Sequence, residues 1–242
     1  MIAFDIRFYD SLGSTQDEAR RLAQAGAPHG TVVTAREQTA GRGRHGRYWA
    51  SPPGNVHFSI VLRLDLQPPR VAELGFVAAL AVADAVDAYL PGRAALKWPN
   101  DVLVDGAKIS GILIERADAA AIIGIGLNVL HVPQQTPYPA TSLRALIRRE
   151  GADEDEEVDA VREVLLKALA RRLDAWQTNG FAQVRADWLR RAHPSGTRLH
   201  VSTQAGVIKG CFAGLADDGA LLLDTAGGVC RLLVGDVSIR AG

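Results

Sequence analysis

Apolar and polar positions follow two periods along the chain, and the place where one gives way to the other divides it. Residues 2–9 alternate as a strand does, and Thr15 to about Ala25 has helical spacing that Gly26 and Pro28 stop. Thr31–Glu37 is β-branched and strand-like, and Asn55–Leu64 is a stronger strand. The Gly, Arg and Pro-rich segment Gln38–Gly54 between them predicts a loop. Val71–Leu90 reads as an Ala-rich helix ended by Pro91 and Gly92. Asp105-Gly106 is a two-residue hairpin turn joining strands Val102–Val104 and Lys108–Glu115, and Ala120–Val129 is a further buried strand. Ser142–Glu150 predicts a short helix. Val158, Val161, Leu165, Leu169, Leu173 and Trp176 predict a long amphipathic one, preceded by acidic residues that favour its positive N-terminal end. Residues 181–192 predict one more helix.

From Pro194 onward only strands are predicted: Thr197–Ser202, Val207–Leu215, Ala220–Asp224 and Gly228–Val234, with turns at Ala205-Gly206, Asp218-Gly219 and Gly227-Gly228. The expected organisation is a mixed α+β domain over residues 1–193 followed by a small β-barrel over 194–242.

At 242 residues the chain can withdraw roughly 70–75% of its unfolded surface from water, so its core needs neither disulfides nor a structural metal. Cys211 and Cys230 lack zinc-ligand spacing and read as reduced thiols. Asp5, Arg7 and Asp10 stand where a signal peptide needs an apolar core, and the longest apolar stretch, Ala119–Leu130, is too short to span a bilayer. A cytoplasmic protein without a membrane segment is expected. The 27 basic and 27 acidic residues cancel, which argues against a nucleic-acid coat or a lipid-surface protein. The total hides local concentrations. Arg36–Arg47 holds four arginines against one Glu, and residues 150–159 are acidic. Lysine is scarce: Lys97, Lys108, Lys167 and Lys209 stand against 23 arginines. Where Arg serves as the general cation, a lysine marks a site that wants a compact ammonium, and Lys97 and Lys108 lie within a dozen residues.

Four segments carry chemistry. Gly41-Arg42-Gly43-Arg44-His45-Gly46-Arg47-Tyr48-Trp49 matches G-x-G-x-x-G by letter, but Pro52 and Pro53 follow where a dinucleotide-binding turn must open into a helix. The lysine and hydroxyl ending of a P-loop is absent too. What is left is a flexible cationic loop whose glycines permit close approach to a ligand and whose guanidinium groups suit carboxylate or phosphate. Trp49 at its edge suits stacking on a purine or covering apolar ligand atoms. Lys97-Trp98-Pro99-Asn100-Asp101 places an ammonium, an amide and a carboxylate just before a strand, where Asp101 suits proton acceptance or a magnesium-bound phosphate. Lys108–Glu115 begins with a lysine directly after the hairpin turn. In Gly124–Val129 the polar Asn128 interrupts an apolar strand and needs a buried partner.

With these segments in this order the chain resembles the biotin protein ligases. The resemblance rests on Gln38-Thr39-Ala40-Gly41-Arg42-Gly43-Arg44-His45-Gly46-Arg47, on Lys97–Asp101 and on Lys108–Glu115, preceded by Ser14-Thr15, and it covers essentially the whole chain. It implies a class II synthetase-like catalytic domain with a mixed sheet and a small SH3-like barrel. It also implies ATP, magnesium and biotin: biotinyl-5′-AMP is formed first, and the biotinyl group then passes to a lysine of a biotin carboxyl carrier domain of acetyl-CoA carboxylase or a related carboxylase. Carried over residue by residue, Ser14, Thr15, Gln16, Gln38, Arg42, Gly43, Arg44, Lys108 and Gly111 line the biotin pocket. Gln16 departs from the Asn more usual after Ser-Thr. Arg42, Arg47, Trp49, Lys97, Asn100, Lys108, Asn128 and Arg240 serve ATP, with Trp49 on the adenine side. Lys108, Arg44 and Asp101 are the expected catalytic residues, Asp101 accepting the proton of the incoming lysine.

The early position of Ser14-Thr15 leads to the expectation of a monofunctional ligase without an operator-binding domain. The six histidines show no ligand spacing, so no protein-held metal is expected beyond magnesium arriving with ATP. The loop is expected to be disordered without ligand, and a homodimer is left open. Three readings compete, one of them a noncatalytic small-molecule sensor on the same scaffold, which the retained Lys108 disfavours. Lipoate ligases and octanoyltransferases share the architecture, but the Arg-rich loop and Lys97–Asp101 resemble the biotin branch. A nucleic-acid-binding protein using the Gly-Arg loop is disfavoured because the terminal segment sets Arg198, Lys209, Arg231 and Arg240 against Asp217, Asp218, Asp224 and Asp236.

Overall fold

The computed structural model describes residues 2–64, 68–134, 136, 138–147 and 153–239. The chain runs through β1 (Asp5–Leu12), α1 (Thr15–Gln24), β2 (Thr31–Gln38), a 3₁₀ turn at Arg44–Gly46, β3 (Val56–Leu62) and α2 (Pro68–Asp87). There follow β4 (Ala94–Lys97), β5 (Asp101–Val104), β6 (Ala107–Ala117), β7 (Ala120–Leu127), α3 (Leu143–Ile147), α4 (Glu154–Asn179) and α5 (Phe181–Arg191). The last part is β8 (Arg198–Thr203), β9 (Gly206–Leu215), β10 (Leu221–Thr225), β11 (Gly228–Leu232) and β12 (Asp236–Ile239).

The first seven strands form one sheet in the order β1-β2-β3-β7-β6-β5-β4. Only β1 and β2, joined through α1, are parallel. The central strands read as unbroken apolar runs because both sheet faces are covered. Val32, Ile60 and Ile123 point into the main core beneath α2 and α4, whereas Val33, Val61 and Ile122 meet Ala19, Leu22 and Ala23 of α1 on the opposite face. α2 is buried along Leu74, Val77, Leu80 and Ala81, with Leu165, Leu169 and Trp176 of α4 in the same core, so its alanines serve close approach of helix to helix and sheet.

α1 covers only part of its face. Beyond Ile122 the same side of β7 carries Gly124 and Gly126, with Ser59 of β3 opposite Gly124 and Gly111 of β6 opposite Gly126. Where neighbouring positions bear large side chains, these bear almost none, and a cavity opens above them.

The second sheet, β11-β10-β9-β8-β12, is antiparallel throughout. Its Leu199, Val201, Phe212, Leu215, Leu221 and Leu223 belong to the same apolar cluster as Phe76, Trp98, Phe181 and Trp188 of the first part. Phe76 meets Phe181 and Trp188 edge to face at 5.3 and 5.6 Å. The Trp98 indole donates to the Gly219 carbonyl at 3.1 Å across the junction.

Most predicted elements form within a few residues of their expected bounds, and Asp105 (φ 50°) and Gly106 (φ 79°) both take the left-handed conformation that the hairpin turn needs. β4 and β12 were not predicted; at four residues each they are too short to show a period. The first strand starts at Asp5 rather than residue 2, the strand after β10 ends at Leu232, and the predicted loop contains a 3₁₀ turn. α3 ends at Ile147, and residues 148–150 of the helix expected there lie outside the described residues.

Candidate active site

The cavity holds about 730 Å³ and lies between the glycine-bearing sheet face, the Gly-Arg loop and β12. One end is a buried hydrogen-bonding pocket. Ser14 caps α1, its Oγ accepting from Asp17 N at 3.4 Å, so Thr15 and Gln16 of the first turn point inward. Gln38 Oε1 accepts from Thr15 N at 2.8 Å and from Thr15 Oγ1 at 3.0 Å, while its Nε2 donates to Ser51 Oγ at 2.8 Å. Ser59 Oγ donates to Gln16 Oε1 at 2.9 Å. A Cβ at Gly124 would fall 2.5 Å from that same oxygen, so the Gln16 amide needs a glycine beneath it.

The other end is cationic and is organised by a carboxylate. Asp101, held by the β4–β5 turn, faces Lys97 Nζ at 2.7 Å through Oδ2 and Lys108 Nζ at 2.5 Å through Oδ1. Burial alone would raise the Asp101 carboxyl, but the Lys108 and Lys97 ammonium groups more than reverse this and hold it below the usual carboxylate range. Lys97 Nζ also donates to the Val237 carbonyl at 3.2 Å. Asn100 joins β6 to the Gly-Arg loop. Its Nδ2 donates to the Ile112 carbonyl at 2.8 Å and its Oδ1 accepts from Arg44 at 3.4 Å.

The Gly-Arg loop folds back on itself. Gly43 N donates to the Arg47 carbonyl at 2.7 Å and Trp49 N to the Gly41 carbonyl at 2.9 Å, with His45 (φ 57°) and Gly46 (φ 70°) turning the tip. Its three arginines reach two sets of anchors. Arg42 pairs with Asp17 of α1 and, at 3.5 Å, with Glu115 of β6. Arg44 and Arg47 both meet Asp236 of β12, at 3.3 and 2.9 Å. Burial lowers the Arg44 guanidinium from its ordinary value, which Asp236 partly offsets. Trp49 lies on Gly111 and Gly126: a Cβ at Gly126 would sit 2.4 Å from its indole nitrogen, and one at Gly111 would sit 3.0 Å from its ring. That buried nitrogen has no hydrogen-bond partner.

Ser14, Thr15, Gln16, Gln38, Arg42, Gly43, Arg44, Arg47, Trp49, Lys97, Asn100, Asp101, Lys108 and Gly111 all line this one cavity. Asn128 corrects the sequence reading. It is buried away from the cavity wall, and its Nδ2 donates to the Thr141 carbonyl at 2.9 Å, which fixes the return of the chain after β7. Arg240 lies outside the described residues. Both oxygens of Asp101 face ammonium groups, and among the described residues no cluster of three or more His, Cys, Asp or Glu could hold a metal ion. Trp49 stands on the glycine floor of the cavity, with Lys108 Nζ 5.3 Å from its ring centre. Sequence reasoning missed Ser59, Gly124, Gly126, Tyr138 and Asp236 as cavity residues. The two glycines had a signal, since they break an apolar strand on one face only; Asp236 had none, because it reaches the site through tertiary packing.

Known proteins resemble this chain in sequence and fold. The profile of the biotin/lipoate A/B protein ligase family matches residues 9–128, and that of the biotin protein ligase C-terminal domain matches residues 195–240. The biotin--[acetyl-CoA-carboxylase] ligase of Paracoccus denitrificans is 38% identical over 87% of this chain and 90% of its own length. The chain belongs to the biotin protein ligase family. A ligase of the same description from Mycobacterium tuberculosis is 37% identical over 93% of this chain and 85% of its own. Among solved structures, the Aquifex aeolicus biotin protein ligase in complex with biotin and ATP superposes with a TM-score of 0.83 at 28% identity, covering 98% of this chain and 99% of that one. The mixed α+β architecture with its small C-terminal sheet is thus that of a biotin protein ligase.

Proposed function

We propose that the chain is an ATP-dependent ligase that activates biotin as biotinyl-5′-AMP and transfers it to a lysine of a biotin carboxyl carrier domain of a carboxylase. The observation that carries this reading is the joining, in one cavity, of a buried hydrogen-bonding pocket to a cationic end centred on Lys108. A urea-like ring needs donors and acceptors it can pair with, and Thr15, Gln16, Gln38 and Ser59 supply both. The biotin carboxylate then points toward Lys108. In the first step a carboxylate oxygen forms a bond to the α-phosphorus as the bond to pyrophosphate breaks. Lys108, Arg44 and Arg42 offset the negative charge that gathers there. Arg47, Lys97 and Asn100 are assigned to the nucleotide phosphates, which take the place of Asp236 on Arg47 and of Asp101 on Lys97.

In the second step the neutral acceptor amine bonds to the acyl carbon, AMP leaves with the electron pair of the C–O bond, and the amine loses a proton. Asp101 takes that proton once Lys108 turns to the substrate anion and releases Oδ1. Magnesium, when bound with ATP, neutralises phosphate charge; no protein side chain is assigned to it. The division at 193/194 remains part of this proposal, as does the absence of a nucleic-acid partner, since the site's positive charge is enclosed in a cavity. A cytoplasmic location is proposed for an enzyme using ATP and a carboxylase; among the described residues no helix is long and apolar enough to cross a membrane. The decisive experiment is biotin-dependent exchange of pyrophosphate into ATP with magnesium. Exchange with biotin is expected; none with biotin, but exchange with lipoate or octanoate, would transfer the assignment to those acids.

A further inference from the structure

We infer that Tyr138 is a positioning residue of the adenylation step: with Trp49 it forms an aromatic cage that aims the Lys108 ammonium. The inference rests on the ligase reading above and adds a residue to it. Lys108 Nζ lies 5.1 Å from the centre of the Tyr138 ring and 5.3 Å from that of Trp49, both within cation–π range. Asp101 Oδ1 holds the same ammonium at 2.5 Å. The group therefore meets one carboxylate and two rings.

The placement of Tyr138 is tied to Lys108 by backbone. Lys108 N donates to the Pro139 carbonyl at 2.8 Å, and Thr141 N donates to the Lys108 carbonyl at 2.9 Å, so the strand-like return 139–141 lies parallel to the start of β6. Asn128 fixes the far end of this return through Thr141, and Thr136 Oγ1 donates to the Tyr138 carbonyl at 2.5 Å. The ring thus keeps register with the residue it covers. Burial, with Asp101 nearby, raises the Tyr138 phenol, so the ring stays uncharged and offers its π face.

The physical need is clear from the side chain itself. A lysine carries its charge on a flexible stem with many rotamers, and holding it in one of them costs entropy. A second carboxylate would hold it too, but would repel the incoming carboxylate and phosphate. An aromatic face attracts the ammonium without adding net negative charge, so the ammonium turns to the substrate anion with nothing new to repel it. Misplacement by about 1 Å can lower a rate by about 10²-fold, so losing one of two ring walls is expected to cost about tenfold.

The test compares Tyr138→Leu, which removes the ring, with Tyr138→Phe, which keeps it. Two measurements are made: biotin-dependent pyrophosphate exchange, and the ¹H–¹³C spectrum of the lysine ε-methylenes. With four lysines in the chain the spectrum is assignable by single Lys→Arg substitutions. The ε-protons of Lys108 are expected upfield of those of exposed Lys167 through the ring currents. They should move downfield in Tyr138→Leu and stay in Tyr138→Phe. Exchange turnover should fall about tenfold in Tyr138→Leu, with a smaller change in the KM for biotin, and Tyr138→Phe should recover most of it. In a Lys108→Ala background, Tyr138→Leu should cost little more. Unshifted Lys108 protons in the unsubstituted enzyme, equal losses in Phe and Leu variants, or losses that multiply with Lys108→Ala would each overturn the proposal while leaving the ligase reading intact. Absence of exchange in the unsubstituted enzyme would remove the ligase reading and this inference with it.

Discussion

Lys108 is half-buried, its ammonium held at 2.5 Å by Asp101, and the proposed reaction brings two anions together beside it. Lys108→Ala is expected to lower pyrophosphate exchange about 10²–10³-fold, in line with the loss of one preorganised charge stabiliser, while far-ultraviolet circular dichroism stays unchanged. Gly126 is a second residue on which the site depends. Gly126→Ala would drive a Cβ to 2.4 Å from the Trp49 indole and expel it from its seat, so biotin affinity measured by calorimetry should fall more than tenfold. A third prediction concerns pH. His57 is buried in β3, Nε2 donating to the Pro52 carbonyl at 3.3 Å, and burial lowers its pKa to about 4. The folded state therefore resists a proton that the unfolded chain binds below its ordinary value of 6.5. Stability is complete above about pH 6.5 and is lost as pH falls toward 4, by up to about 3 kcal/mol. Urea midpoints across this range should show that slope, and His57→Gln should flatten it. Lys108, Lys97 and the loop arginines were legible in the sequence because their types and order are unusual. Asn128 was misread because a polar residue in an apolar strand looks the same whether its partner is a ligand or the Thr141 carbonyl.

At the scale of elements, helix α4 shows how much local sequence achieves. Asp153 caps it, Oδ1 accepting from Asp155 N at 3.0 Å and Glu156 N at 3.1 Å, and four acidic residues fill its first turn. Asp153→Ala is expected to cost about 1 kcal/mol and to lower Tm by roughly 2–4 °C in calorimetry, with exchange activity unaffected. Period and caps together made the long helices readable. The short strands β4 and β12 were not, because four residues hold too little pattern; their existence is decided by the partners β5 and β8 that offer an edge. β12 matters most, since it brings Asp236 and the Val237 carbonyl to the site.

Across the whole molecule, the loop and the C-terminal sheet are joined through charge: Asp236 holds Arg44 and Arg47 over a sequence distance no local rule covers. Asp236→Ala should release the loop. Limited proteolysis between Gly41 and Trp49 is then expected to run several-fold faster without ligand, and biotin with ATP should restore protection in both forms. Equal cleavage of the two proteins would show that this pair does not hold the loop. The amino-acid order by itself determined the helices and the longer strands, the cationic loop and the lysines reserved for compact charge, because periodicity, turn chemistry and residue type are local properties. Tertiary structure alone decided which charges face one another. The zero net charge resolves into pairs such as Arg42 with Asp17 and Glu115, Arg44 and Arg47 with Asp236, and Lys108 with Asp101, and only folding brings those carboxylates within reach.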